Sequence, residues 1–196
     1  MSSRRRSREM AIQVLYQVDM AQSDIGEALR LFCQHFKAPD SIRDFAVELA
    51  NGVHQYREEI DTLIRRFSEH WRLERMSAVD RNILRLAIFE LLYRADIPAK
   101  VSINEAVDLG KKYGTEDSGS FINGILDRIR VDLEAGTIKA RSAPEKRFGD
   151  PIQRRDDTAS PRHRVAASGG KRSREVRRVE NRSSRSVFRR NYGGQI

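Results

Sequence analysis

Across the first 140 positions, large apolar residues recur every three to four residues, a spacing that fits helices and little else. Met10, Ala11, Val14, Leu15 and Val18 line one face of a first helix. Asp24 with Glu27 forms a capping box ahead of Ala28, Leu29, Phe32 and Phe36, and Pro39 prevents that helix from continuing. Ser41 with Asp44 is expected to open a third helix carrying Ile42, Phe45, Ala46, Leu49 and Val53. Ile60, Leu63, Ile64, Phe67 and Trp71 predict a fourth. Ser77 caps a fifth, in which Val79, Ile83, Leu84, Leu86, Ala87, Ile88, Leu91 and Leu92 are apolar round most of the circumference, the mark of a central buried helix. Ser102 with Glu105 reads as the capping box of a sixth helix ending at Tyr113 and Gly114, and Phe121, Ile122, Ile125, Leu126, Ile129 and Leu133 mark a seventh that ends near Gly136. No segment alternates as a half-buried strand does. The expected fold is all-α, a single-domain bundle of about seven helices.

The charge is divided unevenly. The 196 residues carry 37 Lys+Arg and 28 Asp+Glu, a formal net charge of +9. Residues 1–140 hold 21 basic and 22 acidic residues, whereas residues 141–196 hold 16 and 6. The second stretch has few large apolar residues, no helical or strand period, and Pro144, Pro151, Pro161 and Gly169-Gly170 among its gaps. So little apolar surface cannot offset the entropy of ordering the chain, and a disordered, Arg-rich tail is expected for residues 141–196.

Several classes are excluded. One cysteine, Cys33, cannot form an intrachain disulfide, which favours a reducing compartment. The longest apolar stretch, residues 83–93, is broken by Arg85 and Glu90, so it does not read as a membrane span. Gln13, Gln17 and Asp19 interrupt what would be the core of a signal peptide. A soluble cytoplasmic protein is expected.

Signals for catalysis are weak. His35, His54, His70 and His163 lie far apart, and none pairs with another at metal-ligand spacing. Cys33 and His35 diverge on a helix. Glu58, Asp61, Arg65 and Arg66 interleave as on a solvated helix face. There is no phosphate loop, dinucleotide fingerprint or nucleophile elbow. The expectation is no enzyme, cofactor or metal.

Signals for nucleic acid are local. Arg4, Arg5, Arg6 and Arg8 crowd the start of the first helix, where cations oppose the helix dipole by about 0.3–1 kcal/mol each when exposed. A frayed cationic terminus would look the same, but arginines there also suit phosphate. The segment from Tyr113 through Gly114, Asp117 and Ser118 to Phe121 ends one helix and opens the next, leaving backbone amides suited to an anion. Phe121 and Tyr16 are candidate stacking faces for bases, although periodicity alone also suits Phe121 to the core. Composition does not bring the two segments together.

These residues carry a family resemblance. The Arg-rich start followed by Leu15-Tyr16-Gln17, the run Val79-Asp80-Arg81-Asn82-Ile83-Leu84-Arg85 within residues 79–94, the stretch Val101-Ser102-Ile103-Asn104-Glu105-Ala106, and Glu116-Asp117-Ser118 with Phe121-Ile122-Asn123-Gly124 resemble, in order, the NusB family of transcription antitermination factors. The resemblance covers about residues 3–135. It implies a helical bundle that binds the single-stranded boxA element of RNA as a heterodimer with NusE, a small-subunit ribosomal protein. It further implies that the pair joins other Nus factors on RNA polymerase to suppress premature termination in ribosomal RNA operons. RNA contacts carry over to Arg4, Arg5, Arg6, Arg8, Tyr16, Asp117, Ser118 and Phe121, and a surface near the partner to Asp80 and Arg81.

Family members typically end soon after the seventh helix. The stretch from residue 141 onward departs from that pattern, either as an RNA-affinity extension or as translated sequence beyond a shifted stop. Two alternatives belong to other classes. One is a protein-binding helical scaffold whose basic arm is incidental. The other is an accessory module of a ribosomal RNA methyltransferase, for which residues 141–196 supply neither a cofactor loop nor a nucleophilic cysteine.

Overall fold

The computed structural model describes residues 2–68 and 71–141. It contains seven α-helices: α1 (Ser3–Ala21), α2 (Ile25–His35), α3 (Asp40–Gln55), α4 (Arg57–Phe67), α5 (Ala78–Tyr93), α6 (Ala99–Tyr113) and α7 (Ser118–Glu134), with a single 3-10 turn at Leu73–Arg75 and no strand among the described residues. The all-α reading holds. The expected tail lies outside the described residues from 142 onward, as do His70 and His163.

Helix α5 packs against α1, α3, α4, α6 and α7. Its Ile83, Leu84, Ile88 and Leu92 are fully buried, and each such side chain contributes roughly 1.5–3 kcal/mol by leaving water. Phe89 presses on Gly52 of α3, where a Cβ would run into its ring. Tyr56 and Tyr93 stack beside it at 4.0 Å, and the Tyr93 hydroxyl donates to Glu59 at 2.8 Å. Helix α1 contributes Met10, Ala11, Val14, Leu15 and Val18 to the same core, and its buried Ser7 hydroxyl donates to the Ile42 carbonyl of α3 at 2.9 Å.

Local chemistry sets most helix ends where the pattern puts them. The Asp24 carboxylate accepts from the Glu27 amide at 2.9 Å, Ser77 accepts from the Asp80 amide at 3.0 Å, and α6 stops at Gly114. Three expectations need correction. Helix α3 begins at Asp40 with Pro39 as its cap, one residue before Ser41. Helix α6 begins at Ala99 behind Pro98, so Ser102 sits inside it and donates its hydroxyl to the buried Glu90 carboxylate at 2.6 Å. Helix α4 ends at Phe67, and Trp71 lies beyond it in a turn held by Ser68. In both proline cases the ring presets an N-terminal backbone, which opens the helix before the Ser-containing pattern is reached. After α7, Gly136 adopts a positive φ of 73°, Ile138 is buried, and the Arg141 amide donates to the Leu92 carbonyl at 2.8 Å.

Candidate nucleic-acid interface

The first turn of α1 contains no acid, and Ser2 caps it by accepting from the Arg5 amide at 3.3 Å. The four arginines that look equivalent in sequence then meet four different environments. Arg6 is exposed and has no ion pair among the described residues. Arg4 is exposed, lies 3.4 Å from Asp96 and places its guanidinium 5.3 Å over the Phe45 ring, which also receives Arg94 at 5.1 Å. Arg5 reaches Asp108 of α6 at 3.1 Å. Arg8, one turn after Arg4 and only 3% exposed, points into the bundle.

Arg8 is the clearest correction to the sequence reading. Its Nε and Nη2 donate to the two oxygens of Glu90 at 2.8 and 3.0 Å, and Ser102 completes that carboxylate's shell. A fork committed in this way, beneath the surface, presents no donor to a phosphate. A second buried fork, on α5, is Arg85, which donates through Nε and Nη2 to Asp61 at 2.7 and 2.8 Å. Asp61 is therefore buried and paired, not on a solvated face.

Asp80 and Arg81 are also drawn inward. Asp80 is buried and accepts from the Ser77 hydroxyl at 2.8 Å. Arg81 donates to Asp19 at 2.6 Å and to the carbonyls of Leu73 and Met76 at 3.1 and 3.2 Å. These bonds tie the end of α1 and the 3-10 turn to the start of α5 and occupy the Arg81 fork, while the second Asp80 oxygen is buried without a hydrogen-bond partner. Burial by itself would push the Asp19 carboxyl up, but the Arg81 hydrogen bonds and the charges of Arg85, Arg81 and Arg57 outweigh it and hold the group below the ordinary aspartate range.

Helix α6 connects the basic arm to the loop. Arg5 pairs with Asp108, and Lys112 donates to Glu9 at 2.8 Å, so α1 and α6 run side by side in the same direction. That register sets Glu9 beside the last turn of α6, so the α6–α7 connection begins where the paired stretch of α1 and α6 ends, and Tyr16 lies half-buried further along α1. The two segments that composition left apart therefore share one edge of the bundle.

Within the connection the residues divide again. Ser118 is buried, its hydroxyl accepts from the Thr115 amide at 2.8 Å, and it rests against Gly114, where any Cβ would collide with it. Its role there is to shape the turn. Asp117 is exposed; its carbonyl accepts from the Phe121 amide at 3.0 Å and the Ser120 hydroxyl at 2.8 Å, while its carboxylate makes no capping bond to its own helix. Phe121 is half-buried and meets Trp71 edge-on, with ring centroids 5.8 Å apart. Elsewhere, His35 and His54 are exposed on separate helices, and burial pushes the Cys33 thiol up. No group of His, Cys, Asp and Glu suited to a metal ion is present among the described residues, and none of the described helices is long and apolar enough to cross a membrane.

Sequence reasoning missed the buried ion pairs and Trp71. The signal for the pairs was available: Arg85 and Glu90 are the two charges inside the apolar stretch of residues 83–93. For Trp71 the apolar spacing pointed to a helix that ends four residues earlier.

Comparison with known proteins agrees with this architecture. The NusB family model matches residues 5–130. A transcription antitermination protein NusB from Myxococcus xanthus is 54% identical over 138 residues, covering 68% of this chain and 98% of that one. A structure of NusB from T. maritima superposes with a TM-score of 0.62 at 37% identity, covering 70% of this chain and 99% of the other. A crystal structure of the antitermination factors NusB and NusE in complex with dsRNA matches with a TM-score of 0.57 at 32% identity, over 66% of this chain and 96% of that one. On a family match over most of its folded part and on identity above one half, the chain belongs to the NusB family, whose members are non-enzymatic transcription antitermination factors.

Proposed function

We propose that this chain binds boxA-type single-stranded RNA as a heterodimer with NusE, the small-subunit ribosomal protein, and acts in the cytoplasm with other Nus factors on RNA polymerase to carry transcription through terminators in ribosomal RNA operons. The observation that carries the reading is the shared edge: exposed arginines at the start of α1 and the Asp117–Phe121 turn are linked along α6. The relative that forms a complex with NusE and dsRNA supports the choice of partner and ligand class.

In this reading Arg4, Arg5 and Arg6 supply phosphate contacts, which release counterions and give affinity without sequence choice. Tyr16 and Phe121 stack on bases, and the Asp117 carboxylate accepts from base N–H groups. Arg8 and Ser118 act from beneath by holding the arm and the turn. Residues 1–140 form the RNA-binding domain, and residues 141–196 an appended basic tail that raises affinity for any RNA.

The test is a salt-titrated binding assay of the full chain, with and without NusE, against boxA RNA, scrambled RNA of equal length and a duplex. Selective binding of the boxA single strand, tightened by NusE, is the expected result. Equal binding of all three with the partner present would refute it. The ion pairs that occupy Arg4 and Arg5 favour one rival, a protein-binding scaffold, which would bind NusE and no RNA.

A further inference from the structure

Trp71 is the sole tryptophan of the chain, and it is 57% exposed. An aromatic ring of that size is usually buried, with its N–H satisfied, so this much open apolar surface is unusual. Trp71 is nonetheless firmly placed. Its amide donates to the Ser68 carbonyl at 2.7 Å, and the Ser68 hydroxyl donates to its carbonyl at 2.9 Å, fixing the backbone just past the end of α4. Its ring meets Phe121 at an interplanar angle of 66°. An edge-on pair covers at most one of the two faces of the indole, which leaves flat aromatic surface open to solvent.

The residues that follow carry two cations and one anion, and the anion, Glu74, lies 3.8 Å from Arg65. Arg72 and Arg75 follow Trp71 in the chain and are exposed. At the start of α7, the aliphatic stem of Lys111 lies across Gly119. Among the described residues the other large exposed apolar side chains are Met20, Phe36, Val101 and Val131, each on a different stretch of the chain from Trp71. A protein-docking patch would gather apolar neighbours. A flat ring flanked by arginines and anchored at both backbone groups instead matches the way single strands are held, with bases on aromatic faces and phosphates on nearby cations.

We propose that Trp71, seated edge-on against Phe121, stacks an unpaired nucleobase and extends the RNA surface from the α6–α7 turn to the segment that follows α4. This site rests on the RNA-binding function proposed above and names a contact within it. The stacking partner is a base of any identity, so Trp71 contributes affinity for single strands and leaves base choice to hydrogen-bonding groups.

Because the chain has one tryptophan, the unmodified protein reports on the site directly. Full-length protein with NusE is titrated with a dye-labelled boxA single strand while dye anisotropy and tryptophan emission are followed together, with NusE's own emission subtracted. Emission of Trp71 should fall in step with the rise in anisotropy, and an abasic strand of the same length should leave it unchanged. Trp71→Ala should weaken binding by about 5- to 150-fold with the salt slope unaltered, and Trp71→Phe should recover most of the loss. A full rise in anisotropy with constant emission and an unaffected Trp71→Ala variant would overturn the stacking site while leaving RNA binding intact. No rise in anisotropy at any salt concentration would overturn RNA binding, and this site with it. Emission that responds to NusE alone and not to RNA would assign the ring to the protein partner and refute the proposal.

Discussion

The guanidinium of Arg8 lies edge to edge with the carboxylate of Glu90, Nε to Oε1 at 2.8 Å and Nη2 to Oε2 at 3.0 Å, and both side chains are almost wholly out of solvent. Removing one partner leaves the other charged and buried, which costs about 3–5 kcal/mol. Arg8→Ala should lower the stability of the chain by that amount in urea unfolding, and Arg8→Lys should recover only part of it because an ammonium cannot make the paired bonds. Replacing both residues, as Arg8→Met with Glu90→Leu, should cost less than either single removal of charge. A neutral Arg8→Ala would contradict the structural assignment.

Salt dependence separates the arginines that stability does not. Arg6→Ala should reduce the slope of log K against log salt by about 0.7, the value for one phosphate contact on a single strand. Arg8→Lys, measured where the protein is folded, should leave the slope unchanged. A slope that drops at Arg8 would return that residue to the RNA surface.

Asp108 holds Arg5, and Asp96 holds Arg4, in exposed or half-exposed ion pairs. Phosphate has to displace these carboxylates, so they compete with RNA. Such pairs are worth about 0.2–1 kcal/mol, and Asp108→Asn should therefore tighten RNA binding by up to about fivefold at low salt, with the gain fading as salt screens it. Weaker binding of Asp108→Asn would show that the pair positions Arg5 for RNA and does not compete with it.

Asp19 and Asp96 both have carboxyls held below the ordinary aspartate value of 3.8. For Asp19 the arginine partners overcome burial, and for Asp96 the Arg94 hydrogen bond is the main cause. Depressed acids contribute stability that is complete above the unfolded value and is lost as pH falls through the folded one. Stability measured by urea unfolding should be insensitive to these two groups above about pH 5 and should decline below about pH 4. Asp19→Asn should flatten the acid limb. An unchanged limb would mean that Asp19 is not a linked group.

Gly52→Ala sets two effects against each other. Alanine favours a helix interior by about 1 kcal/mol over glycine, but here its methyl would meet the Phe89 ring. Overpacking of this kind costs about 1–3 kcal/mol, so the net change should be destabilising by up to about 2 kcal/mol in thermal or urea unfolding. A more stable Gly52→Ala would show that Phe89 has room to turn aside.

Which parts were legible in the sequence follows from which interactions are local. The Asp24 and Ser77 caps act on amides three residues away, so pattern and structure agree on them. The core face of α1 and the burial of α5 follow from spacing within one helix. Arg8 and Arg85 are different, because their partners lie 82 and 24 residues away and whether a charge is buried depends on what a second helix brings to it. The arginines of the arm look alike for the same reason: their spacing gives the direction in which each points, and only α3, α5, α6 and the α5–α6 connection determine what each one meets. Ser102 misled through a pattern that is sound by itself, since Pro98 had already started the helix.

The ion pairs between α1 and α5 also encode direction. Along α1 a cation, Arg8, precedes an anion, Asp19; along α5 the cations Arg81 and Arg85 precede the anion Glu90. Laid antiparallel, the two helices match each of these charges with its opposite. Turned end for end, they would bury arginine against arginine and carboxylate against carboxylate, and slid by one turn they would separate Arg8 from Glu90, at a cost of several kcal/mol for each uncompensated ion. The apolar faces alone would accept either arrangement. These five charges act as a polarity key, so that of the bundles this chain's greasy surfaces would allow, only the one that carries the arginine arm to the flank of α6 can close.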